Sequence, residues 1–240
     1  MFRQKINCVA HRLAPWLPPA WRLQFLAWAY SQLDAEVELT HLEKIGPCRG
    51  TAIDAGANCG YYSLALAKLY RQVISFEPNR EACEPLVAAG LPNVRIVHVG
   101  LSSANRMETL FVPIANDVKM SGWGSLDDHN CPEATAVVAQ QIELRTLDSQ
   151  RLTDVRFIKI DVEGHELHVL RGAAILIQRD HPHLLVEIRK ANQTAVLNLL
   201  SNWGYREANL LELAGVLGTP RNRVFIPEHI AHPTLMSKPD

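Results

Sequence analysis

None of the five cysteines, at positions 8, 48, 59, 83 and 131, forms a C-x-x-C pair, and their number is odd. That argues against a zinc knuckle or a disulfide framework, and a reducing, cytoplasmic setting is the expectation. No uncharged apolar run reaches the ~18–20 residues that a membrane-spanning helix needs. The start, MFRQKINCVAHRLAPWLPPAW, does not read as a signal peptide, because His11, Arg12 and three prolines break its apolar stretch. Charge of one sign is not in surplus: 24 Lys+Arg stand against 25 Asp+Glu. No polybasic field exists to hold nucleic acid by charge alone, so no nucleic-acid partner is expected. Internal repeats and low-complexity segments are also missing.

What is present is globular. Hydrophobic residues make up 48% of 240 positions and charged residues 20%. A chain of this size buries roughly three-quarters of its unfolded surface without a metal or disulfide staple. Residues 1–33 stand apart. They carry Arg3, Lys5, Arg12 and Arg22, no acidic residue, and three of the five tryptophans, Trp16, Trp21 and Trp28. Such a segment can lie on an anionic membrane surface. The reading favoured here is a pair of short helices packing on the main domain or forming a homodimer contact.

The first ~45 residues read as helical with a break at Pro15, Pro18 and Pro19, and Gly46-Pro47 marks a boundary. The expected division is therefore 1–45, a helical appendage, and 46–240, the main domain. From there strands and helices alternate. Strands are expected at 51–54, 73–76, 94–99, 156–160 and 184–188, with helices over 59–70, 79–89, 165–178 and 191–203. Further strands fall near 205–211 and 223–226. The pattern predicts an α/β fold, a mostly parallel central sheet with helices on both faces. Two strands, 109–112 and 137–144, flank a long loop, 113–136, carrying Gly122-Trp123-Gly124-Ser125, Asp127, Asp128 and His129. A loop of that length is expected to act as a lid.

Ligands in such folds sit beyond the carboxyl ends of the strands. The first strand ends in Asp54-Ala55-Gly56-Ala57-Asn58-Cys59-Gly60, a turn lacking the G-x-G-x-x-G spacing of a dinucleotide site and the G-K-[ST] of a P-loop. Its leading carboxylate repels pyrophosphate and attracts a cation. Glu77, 21 positions after Gly56, ends the second strand, where a carboxylate can accept hydrogen bonds from both hydroxyls of a ribose. The fourth ends in Asp161-Val162-Glu163-Gly164-His165-Glu166. His165 would open a helix, whose positive end favours the neutral imidazole that can take a proton. Glu163 or Glu166 serves equally as a helix cap, and His168 as a surface residue.

The motifs D-A-G-A-N-C-G-Y-Y-S, F-E-P-N, V-G-L-S, R-T-L-D and I-K-I-D-V-E-G-H-E, followed by V-L-R-G and L-L-V-E-I, resemble the FkbM-type methyltransferases over about residues 51–226. These are S-adenosylmethionine-dependent enzymes of the Rossmann-like class I fold, mostly O-methyltransferases of natural products and sugars. The resemblance implies that Asp54, Gly56 and Asn58 line the methionine side of the cofactor and that Glu77 holds its ribose. It places Pro78, Leu101 and Ser102 near the adenine, and Asp161 beside the amino group and methyl donor. The expected activity is O-methylation of a small-molecule or glycan acceptor. His165 is the expected general base, Asp161 positions cofactor and acceptor, and Glu163 orients or replaces His165. N-methylation and a binding module without turnover are the alternatives. A magnesium-assisted variant through Asp161, Glu163, His165 or the loop acids lacks a distinctive ligand spacing, so no metal is assigned.

Overall fold

A computed structural model describes residues 13–31, 36–115, 118–127, 134–215 and 221–228. Among them the helices are α1 (Pro19–Ser31), α2 (Leu42–Ile45), α3 (Tyr61–Ala67), α4 (Glu84–Ala89), α5 (Glu166–Arg171), α6 (Ala174–Asp180), α7 (Gln193–Asn202) and α8 (Leu210–Ala214). The strands are β1 (Thr51–Ala55), β2 (Gln72–Phe76), β3 (Val94–Val97), β4 (Gly100–Leu101), β5 (Arg106–Ala115), β6 (Val118–Lys119), β7 (Ala136–Arg145), β8 (Val155–Ile160), β9 (His183–Val186), β10 (Tyr205–Ala208) and β11 (Arg223–Pro227).

Near-continuous apolar runs make β1, β8 and β9 fit only a sheet covered on both faces. They occupy the middle of a seven-stranded sheet in the order β10-β11-β9-β8-β1-β2-β3. The five strands from β9 to β3 are parallel, with Ile53 opposite Ile74 on one side and Ile158 on the other. β11 and β10 close the far edge antiparallel. The chain reverses spatial order between β1 and β8, which opens a crevice at their carboxyl ends. The expected fold class is the one observed.

Three departures have physical causes. The two middle strands are longer than their sequence signals and pair antiparallel from Arg106–Leu144 to Ile114–Ala136. With β4 and β6 they form a second sheet, whose apolar face is Leu110, Val112, Ile142 and Leu144. The expected helix over 165–178 is broken at Gly172. A Cβ there would stand 2.0 Å from the Ser102 carbonyl oxygen, so the backbone just after β4 touches that of the helix pair. Asp148 then caps α6 by accepting from the N–H groups of Ile175 and Leu176 at 3.1 and 2.9 Å. The helix expected from Asn79 starts only at Glu84, because Asn79 Oδ1 accepts from the Glu81 N–H in a turn of its own.

The N-terminal segment shares the core. Leu23 of α1 is buried with Ala57, Leu64 and Leu86, while Leu42 and Ile45 join Tyr62, Leu66 and Phe157. Its tryptophans do not. Trp16, Trp21 and Trp28 are all exposed, on the side of the segment that the domain leaves uncovered. Cys48, Cys59 and Cys83 are free thiols, and Cys8, Cys131, Asp128 and His129 lie outside the described residues. Among the described residues no helix is long and apolar enough to cross a membrane.

Candidate cofactor cleft

The turn after β1 is shaped by close approach. Gly56 has φ +80°, and a Cβ there would meet the Asp161 carbonyl oxygen at 1.8 Å. Only glycine fits both constraints. The N–H groups of Gly56 and Ala57 donate to the Phe76 carbonyl at 3.0 Å each, tying the β1 turn to the end of β2. Glu77 fastens the next residues. Its Oε2 accepts from the Asn58 N–H and its Oε1 from the Asn79 N–H, both at 2.9 Å. Burial pushes its carboxyl up to about 7, against the pull of those two hydrogen bonds. A carboxylate has about four acceptor positions, so two remain for ligand hydroxyls.

Lys159 is the residue the sequence reading left out. It is buried in β8, with its Nζ 3.4 Å from Asp161 Oδ2, 3.7 Å from Asp54 Oδ1 and 4.8 Å from the centre of the Tyr62 ring. Burial lowers its pKa, and the two acids outweigh burial and hold it charged. Asp54 has no exposed surface, and its Oδ2 accepts from Ser63 Oγ at 2.6 Å. It stands behind the cleft, and Asp161 lines it. Burial raises Asp161 as well, but Lys159 and Arg221 overcome it and hold its carboxyl low. Glu187, just after β9, shows the opposite result: burial and the Asp161 charge push it up to about 7, although Arg221 lies 3.0 Å away. The alternation of strand and acid (Asp54, Glu77, Asp161, Glu187) was the signal available for it.

The turn after β8 holds Glu163 at φ +52°, a left-handed conformation that few non-glycine residues adopt. Its carboxylate pairs with Arg189. Glu166, not Glu163, carries the structural role at the helix start, accepting from the Gly164 N–H at 2.6 Å. His165 Nε2 lies 2.9 Å from Ser102 Oγ, and its ring stacks on His168 at 4.4 Å. Burial, then the neighbouring His168 and Arg106, bring its pKa down to about 4. The imidazole is therefore neutral at pH 7, held by Ser102 and His168 and not by Glu163.

These residues line an open cleft whose empty space, with the open solvent at its mouth, is about 690 Å³. Gly56, Asn58, Glu77, Pro78, Leu101, Asp161, Glu163 and His165 line it. Ser102 and Asp54 sit one layer behind. The middle segment forms the roof: Asn58 and Asn79 side-chain amides donate to the Gly122 and Ser121 carbonyls at 3.2 and 2.8 Å. Ser125 Oγ donates to the Glu163 carbonyl at 3.2 Å. The lining combines the acids Glu77, Asp161 and Glu163 with the apolar Phe76, Leu101, Ile142 and Leu144, which suits a ligand with a cationic part, hydroxyls and a flat ring. Among the described residues no cluster of three or more His, Cys, Asp or Glu side chains could hold a metal ion.

The sheet order and the cleft at its reversal define a Rossmann-like methyltransferase fold. A crystal structure of the methyltransferase FkbM from Methylobacillus flagellatus is similar, with 17% identity and a TM-score of 0.53. The likeness covers 92% of this chain, which spans 58% of the length of that one. An rRNA methylase from Streptococcus thermophilus is matched at 15% identity and a TM-score of 0.46, over 80% of this chain and 93% of that one. A comparison with curated proteins gives no match. Residues 54–207 match the methyltransferase FkbM domain, so the chain belongs to the FkbM methyltransferase family, and its cofactor is S-adenosylmethionine.

Proposed function

We propose that the chain is an O-methyltransferase that uses S-adenosylmethionine and acts on a hydroxyl of a sugar, glycolipid or other natural product. The observation that carries this reading is the meeting of Gly56, Asn58, Glu77 and Asp161 at one cleft, within the segment that matches the family. Glu77 holds the ribose hydroxyls on its two free acceptor positions. Asn58 and Gly56 face the methionine part, with Asp54 acting from behind through Lys159. Pro78 and Leu101 cover the adenine, with Ser102 behind them. Asp161 accepts from the amino group. When bound, S-adenosylmethionine supplies a methyl group activated by its cationic sulfur. The roof from Ser121 to Ser125 keeps water from the reacting groups.

An acceptor hydroxyl needs a base. His165 fills that role as a neutral imidazole on the cleft wall, oriented by Ser102, with Glu163 beside it. A second reading is favoured by one observation: the Asp161–Glu187 pair holds a carboxyl near 7, closer to the working pH than His165. In that reading Asp161, which lines the cleft, passes the acceptor's proton to Glu187, the carboxyl held near 7.

The test is incubation with methyl-labelled S-adenosylmethionine and a panel of hydroxylated and amine-bearing acceptors. Label in an ether product supports the reading. Label only in methylamines makes it an N-methyltransferase. Cofactor binding without transfer to any acceptor in a cell extract makes it a binding module.

A further inference from the structure

Three large aromatic side chains face solvent within thirteen residues. Trp16 is 87% exposed, Trp21 66% and Trp28 60%, with Leu13 at 51% beside them in the chain. Burying tryptophan is strongly favourable, and exposed tryptophans in a cluster mark a surface awaiting a partner. Their placement follows the helix. Trp21 and Trp28 are seven residues apart and share one face of α1 with Gln24 and Ser31, while Leu23, Leu26 and Ala29 point into the protein. The inner stripe of the helix is aliphatic, and its outer stripe alternates the two tryptophans with Gln24 and Ser31.

Charge identifies the occupant. Residues 1–33 contain four basic residues and no acid, although the whole chain is nearly neutral. A second copy of the chain meeting this face across a twofold axis would set two acid-free helices, each carrying Arg22, against each other. An anionic bilayer answers both features at once. Tryptophan settles at the headgroup level of membranes, and lysine and arginine are drawn to acidic lipid. α1 has 13 residues, far too short to span a bilayer and long enough to lie in its surface.

We propose that α1 and the preceding turn form a docking surface for an anionic lipid bilayer, with Trp16, Trp21 and Trp28 inserted among the headgroups. The helix sits at the carboxyl edge of the sheet. Leu23 packs on Ala57 of the cofactor turn, and Tyr30 stacks on Tyr61 with ring centres 4.6 Å apart. The surface is thus joined to the wall of the cleft, and docking does not depend on which acceptor the site takes.

The test is co-sedimentation of the full chain with vesicles of phosphatidylcholine and phosphatidylglycerol at 3:1, at low salt, with tryptophan fluorescence recorded in parallel. Binding with a blue shift is expected, together with about tenfold or more weaker binding to pure phosphatidylcholine. The Trp16→Ser, Trp21→Ser, Trp28→Ser triple variant should lose vesicle binding by a similar factor. Because these side chains are exposed, it should keep its fold and its affinity for S-adenosylhomocysteine. No binding to the anionic vesicles, or equal binding by the triple variant, overturns the proposal. So does a lipid-free dimer that the triple variant dissolves, which would give the face to a second copy.

Discussion

Glu77 receives the backbone N–H of Asn58 at 2.9 Å, a hydrogen bond that joins the tip of β2 to the turn after β1. The same carboxylate is the proposed ribose ligand, so it serves structure with two acceptor positions and ligand with the rest. Glu77→Ala should weaken S-adenosylhomocysteine binding by about ten- to a hundredfold, as expected for about 1.5–3 kcal/mol of charge-assisted hydrogen bonding. Calorimetry on the folded variant measures it, and an unchanged dissociation constant would remove Glu77 from the site. Its titration gives a second readout. The native carboxyl is raised to about 7 by burial from an ordinary value of 4.5, so the native state binds the extra proton between those values. The stability that Glu77 contributes is complete below about 4.5 and is lost as pH rises through 7. Urea unfolding of wild type and Glu77→Gln should show the difference between them shifting against wild type from pH 5 to pH 8.

His165→Ala should lower kcat by about 10²–10⁴ while cofactor affinity stays near wild type, if the imidazole is the base. The pH profile separates the two proposed bases. A pKa of about 4 keeps His165 neutral, so a reaction that depends on it runs flat from pH 8 to pH 5.5. A base made by Asp161 and Glu187 gives a limb near 7, which Glu187→Gln displaces. Stability carries the opposite sign from Glu77. The native histidine resists protonation, so its contribution is present above the unfolded value of 6.5 and is lost as pH falls toward 4.

Lys159→Met should be severely destabilising. It leaves Asp54, fully buried, and Asp161 without the ammonium between them, and stranded buried charges of this kind cost about 3–5 kcal/mol. Denaturant titration checks the loss. A smaller loss for the Asp54→Asn, Lys159→Met double variant would show that the lost interaction is with Asp54.

The strand ends were legible in the sequence, because a fully buried parallel strand must read as a short apolar run. Asp54, Glu77 and Asp161 each follow such a run. Glu187 follows one too, in L-L-V-E-I, but nothing local says that its carboxyl meets Asp161. Lys159 was hidden for the same reason: inside an apolar strand a lysine has no meaning until its partners on β1 and β8 are side by side. The pairing of β5 with β7 was illegible because nothing local sets its register across the long stretch of chain between the two strands. The break at Gly172 arises from a contact with Ser102, seventy positions earlier, which no helical periodicity contains.

Leu23 reaches from α1 into the layer that supports Ala57, and Tyr30 of the same helix lies flat on Tyr61. The helix cannot swivel without disturbing the cofactor turn. A chain adsorbed through its tryptophans is consequently oriented and not merely leashed: the cleft keeps one height and one heading above the lipid. Its search for acceptors anchored in that lipid becomes two-dimensional, and those held at other depths are passed over whatever their chemistry.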